Sequence, residues 1–324
     1  MHIPDNYLSP ETCLVMGAAM VPVLIVSVHR VKKTMSAKRL PLIGIGAALS
    51  FVLMMFNVPV PGGTTAHAVG GTLLAILLGP EAACLAIAAA LLIQCLFFGD
   101  GGVLALGANM FNMAFVMPFF GYAVYRLLTG RQQVGKRRLV AAAIAAYLAI
   151  NVSALLAGIE FGIQPMLFTD AGGRPLYAPY PLQVAVPAML IPHLSVAGAA
   201  EILATGGVLT FVQKVSPELL GGRAPRTYKK LTGLLLALIM LTPLGLLAAA
   251  SAWGEWSGGE LAHTIGYLPA GMTRGFDYHA LFSDYAVRGL PEWLGYILSA
   301  AGGCAVLVIL FRLLSFRKKK DIRN

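Results

Sequence analysis

Nine apolar runs, at about residues 12–29, 41–56, 67–79, 81–98, 103–128, 139–160, 185–213, 231–250 and 293–311, occupy most of this 324-residue chain. All but the third approach the ~20 residues that a helix needs to cross a hydrocarbon core. Only 12% of the residues are charged, about half the ~25% usual in soluble domains, which excludes a water-soluble fold. The expected fold is all-α: a polytopic membrane protein with about nine transmembrane helices. The short third run follows Asn57-Val58-Pro59-Val60-Pro61-Gly62-Gly63, which cannot continue a helix. Such a broken start is tolerated at membrane depth only where it is packed in protein or lines a cavity.

The basic residues set the orientation. With nine spans and the N-terminus outside, twenty-one of the 24 Lys and Arg residues share one side. Arg30, Lys32, Lys33, Lys38 and Arg39 follow the first run, and Arg126, Arg131, Lys136, Arg137 and Arg138 the fifth. Lys214, Arg223, Arg226, Lys229 and Lys230 follow the seventh, and Arg312, Arg317, Lys318, Lys319, Lys320 and Arg323 lie in the tail. Arg174, Arg274 and Arg288 are left on the other side. The positive-inside rule makes the rich side cytoplasmic, so the N-terminus is expected outside and the C-terminus inside. The same bias accounts for the net charge of +10 without nucleic acid. Residues 214–230 read as a basic cytoplasmic joint between a seven-span body (1–213) and a two-span C-terminal module (231–324). The loop of that module, about 251–292, should fold outside the bilayer. Cys13, Cys84, Cys95 and Cys304 sit in apolar runs with no pairing pattern and read as small buried hydrophobes.

The beginning of the chain has definite chemistry. Met1-His2-Ile3-Pro4-Asp5-Asn6-Tyr7-Leu8-Ser9-Pro10-Glu11 contains no basic residue. It lacks the positive start of a cleaved signal peptide and is expected to be retained outside. A terminal amine, the His2 amide nitrogen once deprotonated, and one His2 ring nitrogen can close two adjacent chelate rings on one metal ion. Three in-plane nitrogens favour a square-planar or tetragonal site, suited to Ni(II) or Cu(II), with Co(II) also accommodated. His67 is the best candidate for the open position. It lies at the outer start of the third run, on the same side as His2, among glycines that let backbone approach a ligand. Two threonines there can brace the ligands. A lone histidine is more often a satisfied polar group than a ligand; the shared side and the broken loop raise the pair above that.

These residues carry a resemblance. Met1-His2-Ile3-Pro4-Asp5, the Gly-Gly-Thr-x-x-His element at 62–67 and Leu106-Gly107-Ala108-Asn109-Met110-Phe111-Asn112-Met113 are similar to the CbiM/NikM family. So are Ile191-Pro192-His193-Leu194 with Glu201, and Ala252-Trp253-Gly254-Glu255-Trp256. That family comprises the substrate-binding components of energy-coupling factor transporters for cobalt and nickel. The C-terminal extension resembles the two-span auxiliary component that members carry fused or as a separate chain. The resemblance implies a metal held by the Met1 amine, the His2 backbone and ring nitrogens, and His67. It also implies partners: a transmembrane coupling protein and two ATP-binding subunits. Asn6 stands where glycine is commoner in the family. No GxxxxGK[ST] loop occurs in the chain, so ATP hydrolysis belongs on other subunits, and no catalytic cofactor is expected. Nickel and cobalt are not separated by ligand type, although the deprotonated amide leans toward nickel. Such a site should discriminate against tetrahedral Zn(II) and lose affinity in acid.

Other polar residues have weaker readings. Glu201 is taken as the only charged residue well inside a span. It lies eight residues after His193, roughly on the same helix face, and is read as serving structure or coupling rather than ligation. Asn109 and Asn112 should glue helices or steady the loop bearing His67. Gly17, Ala18 and Ala19, and Gly158 with Gly162, suit docking against another membrane helix. His29 should be solvated, while His263 and His279 lie in the outer loop and are conceivable metal scavengers. The alternatives are a self-sufficient secondary transporter or channel, and a non-transporting metal sensor. No enzyme constellation is present.

Overall fold

The computed structural model describes residues 1–61, 63–130, 136–225, 227–248 and 251–321, with side chains as far as Ser315. Gly62, Arg131, Arg226, Arg323 and the side chains of Arg317, Lys318, Lys319 and Lys320, all named above, lie outside the described residues. The chain is a multi-pass, mostly helical membrane protein. Among the described residues seven helices are long and apolar enough to cross a bilayer: α1 (Pro10–Thr34), α4 (Pro80–Phe98), α5 (Leu106–Thr129), α6 (Lys136–Leu167), α7 (Leu182–Val215), α8 (Lys229–Leu247) and α10 (from Glu292). Two shorter helices, α2 (Leu40–Met55) and α3 (Gly71–Leu78), stand between α1 and α4, and α9 (Gly258–Ile265) lies between α8 and α10.

Each apolar run thus falls on a helix, but the third is not a full span. At 1.5 Å per residue α3 covers only about 12 Å, and a two-stranded hairpin, β1 (Val58–Val60) with β2 (Thr64–Ala66), replaces the missing turns. Proline at 59 and 61 explains why: neither can donate to a helix ladder. Val60, Thr65 and Ala66 of the hairpin are buried against protein, while Pro59, Pro61 and Gly63 toward its tip are exposed. Its neighbour α2 has fourteen of its sixteen residues buried. Gly44 on α2 lets α10 come close enough that a Cβ there would sit 3.1 Å from Leu307 and Phe311. The C-terminal module therefore packs into the body. By contrast α1 shows Leu14, Val15, Val21 and Ile25 on its outside, as a helix facing lipid would.

Gly158 and Gly162 do not serve an external helix. Added Cβ atoms would meet Val186 and Leu182 respectively, so both glycines seat α7 against α6 within the chain. Gly17 likewise touches Gly107, whose own Cβ would strike its backbone. Ala18 and Ala19 remain exposed. All four cysteines are buried and free.

Candidate metal centre

Residues 1–9 form a strap threaded into the body ahead of α1, whose start is capped by the Ser9 hydroxyl accepting from Thr12 N. The middle of the strap is held by a side chain that mimics backbone. Asn109 Oδ1 accepts from Ile3 N at 2.8 Å, and its Nδ2 donates to Ile3 O at 3.0 Å. The Asp5 carboxylate accepts from Val103 N (2.9 Å) and Leu104 N (2.7 Å). Gly102 N donates to Ile3 O, and any Cβ on Gly102 would collide with Pro4 and Asp5. Asn6 turns the strap at φ 69°, a left-handed conformation that glycine adopts freely and asparagine tolerates. Its side chain then pairs both ways with the Phe276 backbone at 2.8 Å. These bonds bury Met1 and His2 to 3% and 2% exposure.

The hairpin brings the other donor. His67 directly follows β2 and is 5% exposed. The amides two and three residues on are clasped from α7: Glu201 accepts from Val69 N at 2.8 Å and from Gly70 N at 3.0 Å. Ser50 Oγ donates to Val69 O at 2.7 Å. Strap and hairpin meet so that the His2 and His67 ring centroids are 5.0 Å apart, tilted by 32°. Metal–imidazole bonds are about 2 Å long, which places two rings on one ion with centroids roughly 4.5–6 Å apart. Nε2 of both rings is buried without a hydrogen-bond partner. His67 Nδ1 donates to Ala68 O at 3.2 Å.

The remaining donors face carboxylates. The Met1 amine pairs with Glu255 Oε1 at 3.1 Å, and His2 Nδ1 with Asp100 Oδ1 at 3.2 Å. Asp100 also accepts from the Tyr285 hydroxyl (2.5 Å) and Gln94 Nε2 (3.1 Å). Burial, with the Asp100 charge second, pushes the Tyr285 hydroxyl well above its ordinary value, so it remains a donor. Trp253 N donates to Thr64 Oγ1 at 2.8 Å. The Trp253-Gly254-Glu255 segment thus touches both donor carriers, the strap through Glu255 and the hairpin through Trp253. Among the described residues no three His, Cys, Asp or Glu side chains converge on a metal position. An ion here would need backbone nitrogens beside the two rings.

Several expectations need correction. Asn109 steadies the strap, not the loop bearing His67. Asn112 glues helices, donating to Glu160 Oε2 at 2.9 Å, and that partner is a second buried carboxylate within a span, so Glu201 is not alone. Its sequence signal was weak because Glu160 closes the apolar run. His29, His263 and His279 are exposed. Asp100 and Glu255 were not foreseen at the site; the only hint was an acid set among glycines at 99–102 and another inside the tryptophan motif.

Known proteins resemble the chain over nearly its whole length. Residues 2–219 match the family model CbiM, cobalt uptake substrate-specific transmembrane region, and residues 229–320 match the PDGLE domain. The chain is 52% identical over 321 residues to a protein of Lactiplantibacillus plantarum described as a probable fused nickel transport protein, LarMN, covering 96% of this chain and 97% of that one. It is 48% identical over 332 residues to the fused nickel transport protein NikMN of Rhodobacter capsulatus, covering 95% of each. A solved structure titled as a truncated transition metal transporter superposes with a TM-score of 0.63 at 55% identity, covering 66% of this chain and 99% of that one.

Proposed function

Because the chain belongs to the CbiM family of cobalt uptake transmembrane regions, we propose that it captures Ni(II) or Co(II) at the outer face of the cytoplasmic membrane for import. The ion is held by the Met1 amine, the deprotonated His2 amide, a His2 ring nitrogen and His67. The observation that carries this reading is the burial of Met1, His2 and His67 together, with the two rings 5.0 Å apart and Nε2 of His67 unpartnered. Buried polar atoms normally find partners, and bare imidazole nitrogens suit a metal.

Loading exchanges partners rather than creating a cavity. The amine leaves Glu255 and the His2 ring leaves Asp100, while both carboxylates remain nearby to offset the arriving charge. Nitrogens in one plane favour nickel-type geometry over the tetrahedral preference of Zn(II). Inward passage would draw on ATP hydrolysed by two separate subunits, through a transmembrane coupling protein docked on this chain. The N-terminus lies outside and the basic loops inside. The seven-span body, residues 1–213, carries the site. The module at 231–324, joined through 214–230, braces the site with its outer loop.

The deciding experiment compares metal binding by the purified chain with a variant carrying one extra residue before Met1. Every side chain is kept, but the amine is moved and His2 leaves position two. Ni(II) and Co(II) binding should collapse, as it should in His67→Ala. Unchanged binding would remove the amino terminus from the site and favour a secondary-transport mechanism built around His193 and Glu201.

A further inference from the structure

Building on that capture site, we propose that His193 is a receiving ligand: the imidazole that takes over from His67 as the ion starts inward. His193 stands on α7 eleven residues past Leu182, about 16 Å along the helix, and is 4% exposed. Its Nδ1 lies 2.6 Å from Met189 O. A carbonyl only accepts, so Nδ1 carries the proton and Nε2 presents a bare lone pair. That Nε2 is buried with no partner. One ring nitrogen fixed by a carbonyl and the other left free is the arrangement metal-binding imidazoles take. His67 shares it.

The two histidines are neighbours because both strands of the hairpin that leads to His67 pack against the His193–Ala197 segment of α7. His193 is nonetheless outside the capture shell. The chelate and His67 already supply four in-plane nitrogens, and no three His, Cys, Asp or Glu side chains among the described residues converge on one metal position. A fifth nitrogen beside a filled site is available for the next step.

The local backbone fits a moving part. The helix loosens into a π turn over His193–Ala197, a feature frequent at functional sites. Carbonyls in and before the turn are taken up by side chains: Tyr147 Oη donates to Leu194 O at 2.8 Å, and Ser195 Oγ to Ile191 O at 2.7 Å. Eight residues on, the same helix carries Glu201, which clasps the amides following His67. Displacing α7 therefore moves His193 and the His67 loop together. The exchange is a ligand substitution: one metal–nitrogen bond to His67 breaks, one to His193 Nε2 forms, and neither a proton nor an electron is transferred.

The test uses the full chain and Ni(II). Purified His193→Gln should bind Ni(II) with unchanged occupancy and an unchanged visible spectrum. Radioactive nickel uptake by cells carrying the same variant and its partner subunits should fall about tenfold or more, in the range of losses that follow disturbed metal sites. His193→Cys, which restores a metal-binding atom, should recover part of the uptake. Wild-type uptake in the Gln variant overturns the proposal, and so does a Cys variant no better than Gln. Lost occupancy or an altered spectrum in a Gln variant that still melts cooperatively also overturns it, by placing His193 in the capture shell. Failure of the capture reading would show separately, as unimpaired binding with an extra residue before Met1.

Discussion

The strap and the hairpin bury their donors equally well, but by different means. The strap is held by Asn109 in the first turn of α5, by Gly102 and the amides at 103 and 104, and by the Phe276 backbone, none of these bonds coming from α7. The hairpin side is held by Glu201, a carboxylate buried within a spanning helix. A strap tied to α5 and to two loops does not depend on where α7 stands. A loop clasped by α7 follows that helix. The difference assigns the chelate to the stationary half of the site and His67 to the movable half.

The comparison breaks most readily at Glu201. In Glu201→Ala the Val69 and Gly70 amides lose their acceptor in a dry interior, at a cost of about 1–3 kcal/mol for each unpaired group. Thermal unfolding in detergent should show a large drop in midpoint. Nickel affinity should fall about 10–100-fold, as when the support of a ligand is removed, with Glu201→Gln intermediate because it keeps one acceptor. Full affinity in the Ala variant would mean that the loop holds itself, and the movable half would lose its lever.

Asn109→Ala probes the stationary half. It strips Ile3 of one donor and one acceptor at once, but Gly102 N still donates to Ile3 O, so the loss should be nearer a single bond of about 1–3 kcal/mol. Metal binding should weaken several-fold without a change in visible spectrum, since the chelating atoms are untouched. A changed spectrum would show that the strap sets the ligand geometry itself, which the comparison denies.

How far the sequence reveals this arrangement follows from the range of the interactions. Spans are legible because lipid penalises every unpaired amide, so apolar length alone marks them. The half-length α3 was hinted at by Pro59 and Pro61, although a hairpin in its place was not. The donors of His2 are legible because chelation is local, depending only on consecutive atoms of the chain. The carboxylates facing those donors are not. Asp100 and Glu255 lie 98 and 254 positions away from their partners, and no periodicity connects them. Gly158 and Gly162 were misread for a related reason: a small-residue stripe announces close helix packing without naming the helix.

The smallest effect should come from the C-terminal module. Glu255 is 24% exposed in its pair with the Met1 amine, and a part-exposed ion pair contributes at most about 1 kcal/mol. Glu255→Ala should barely alter the melting midpoint. It should raise nickel affinity by less than about fivefold, since an amine freed of a competitor of that strength gains no more than this. Trp253 and Asn6 would still hold the outer loop against the hairpin and strap. Loss of binding in this variant would instead make Glu255 part of the ligand set. The strap could then not act alone as the stationary half, because one of its donors would be shared with a loop that belongs to the other end of the chain.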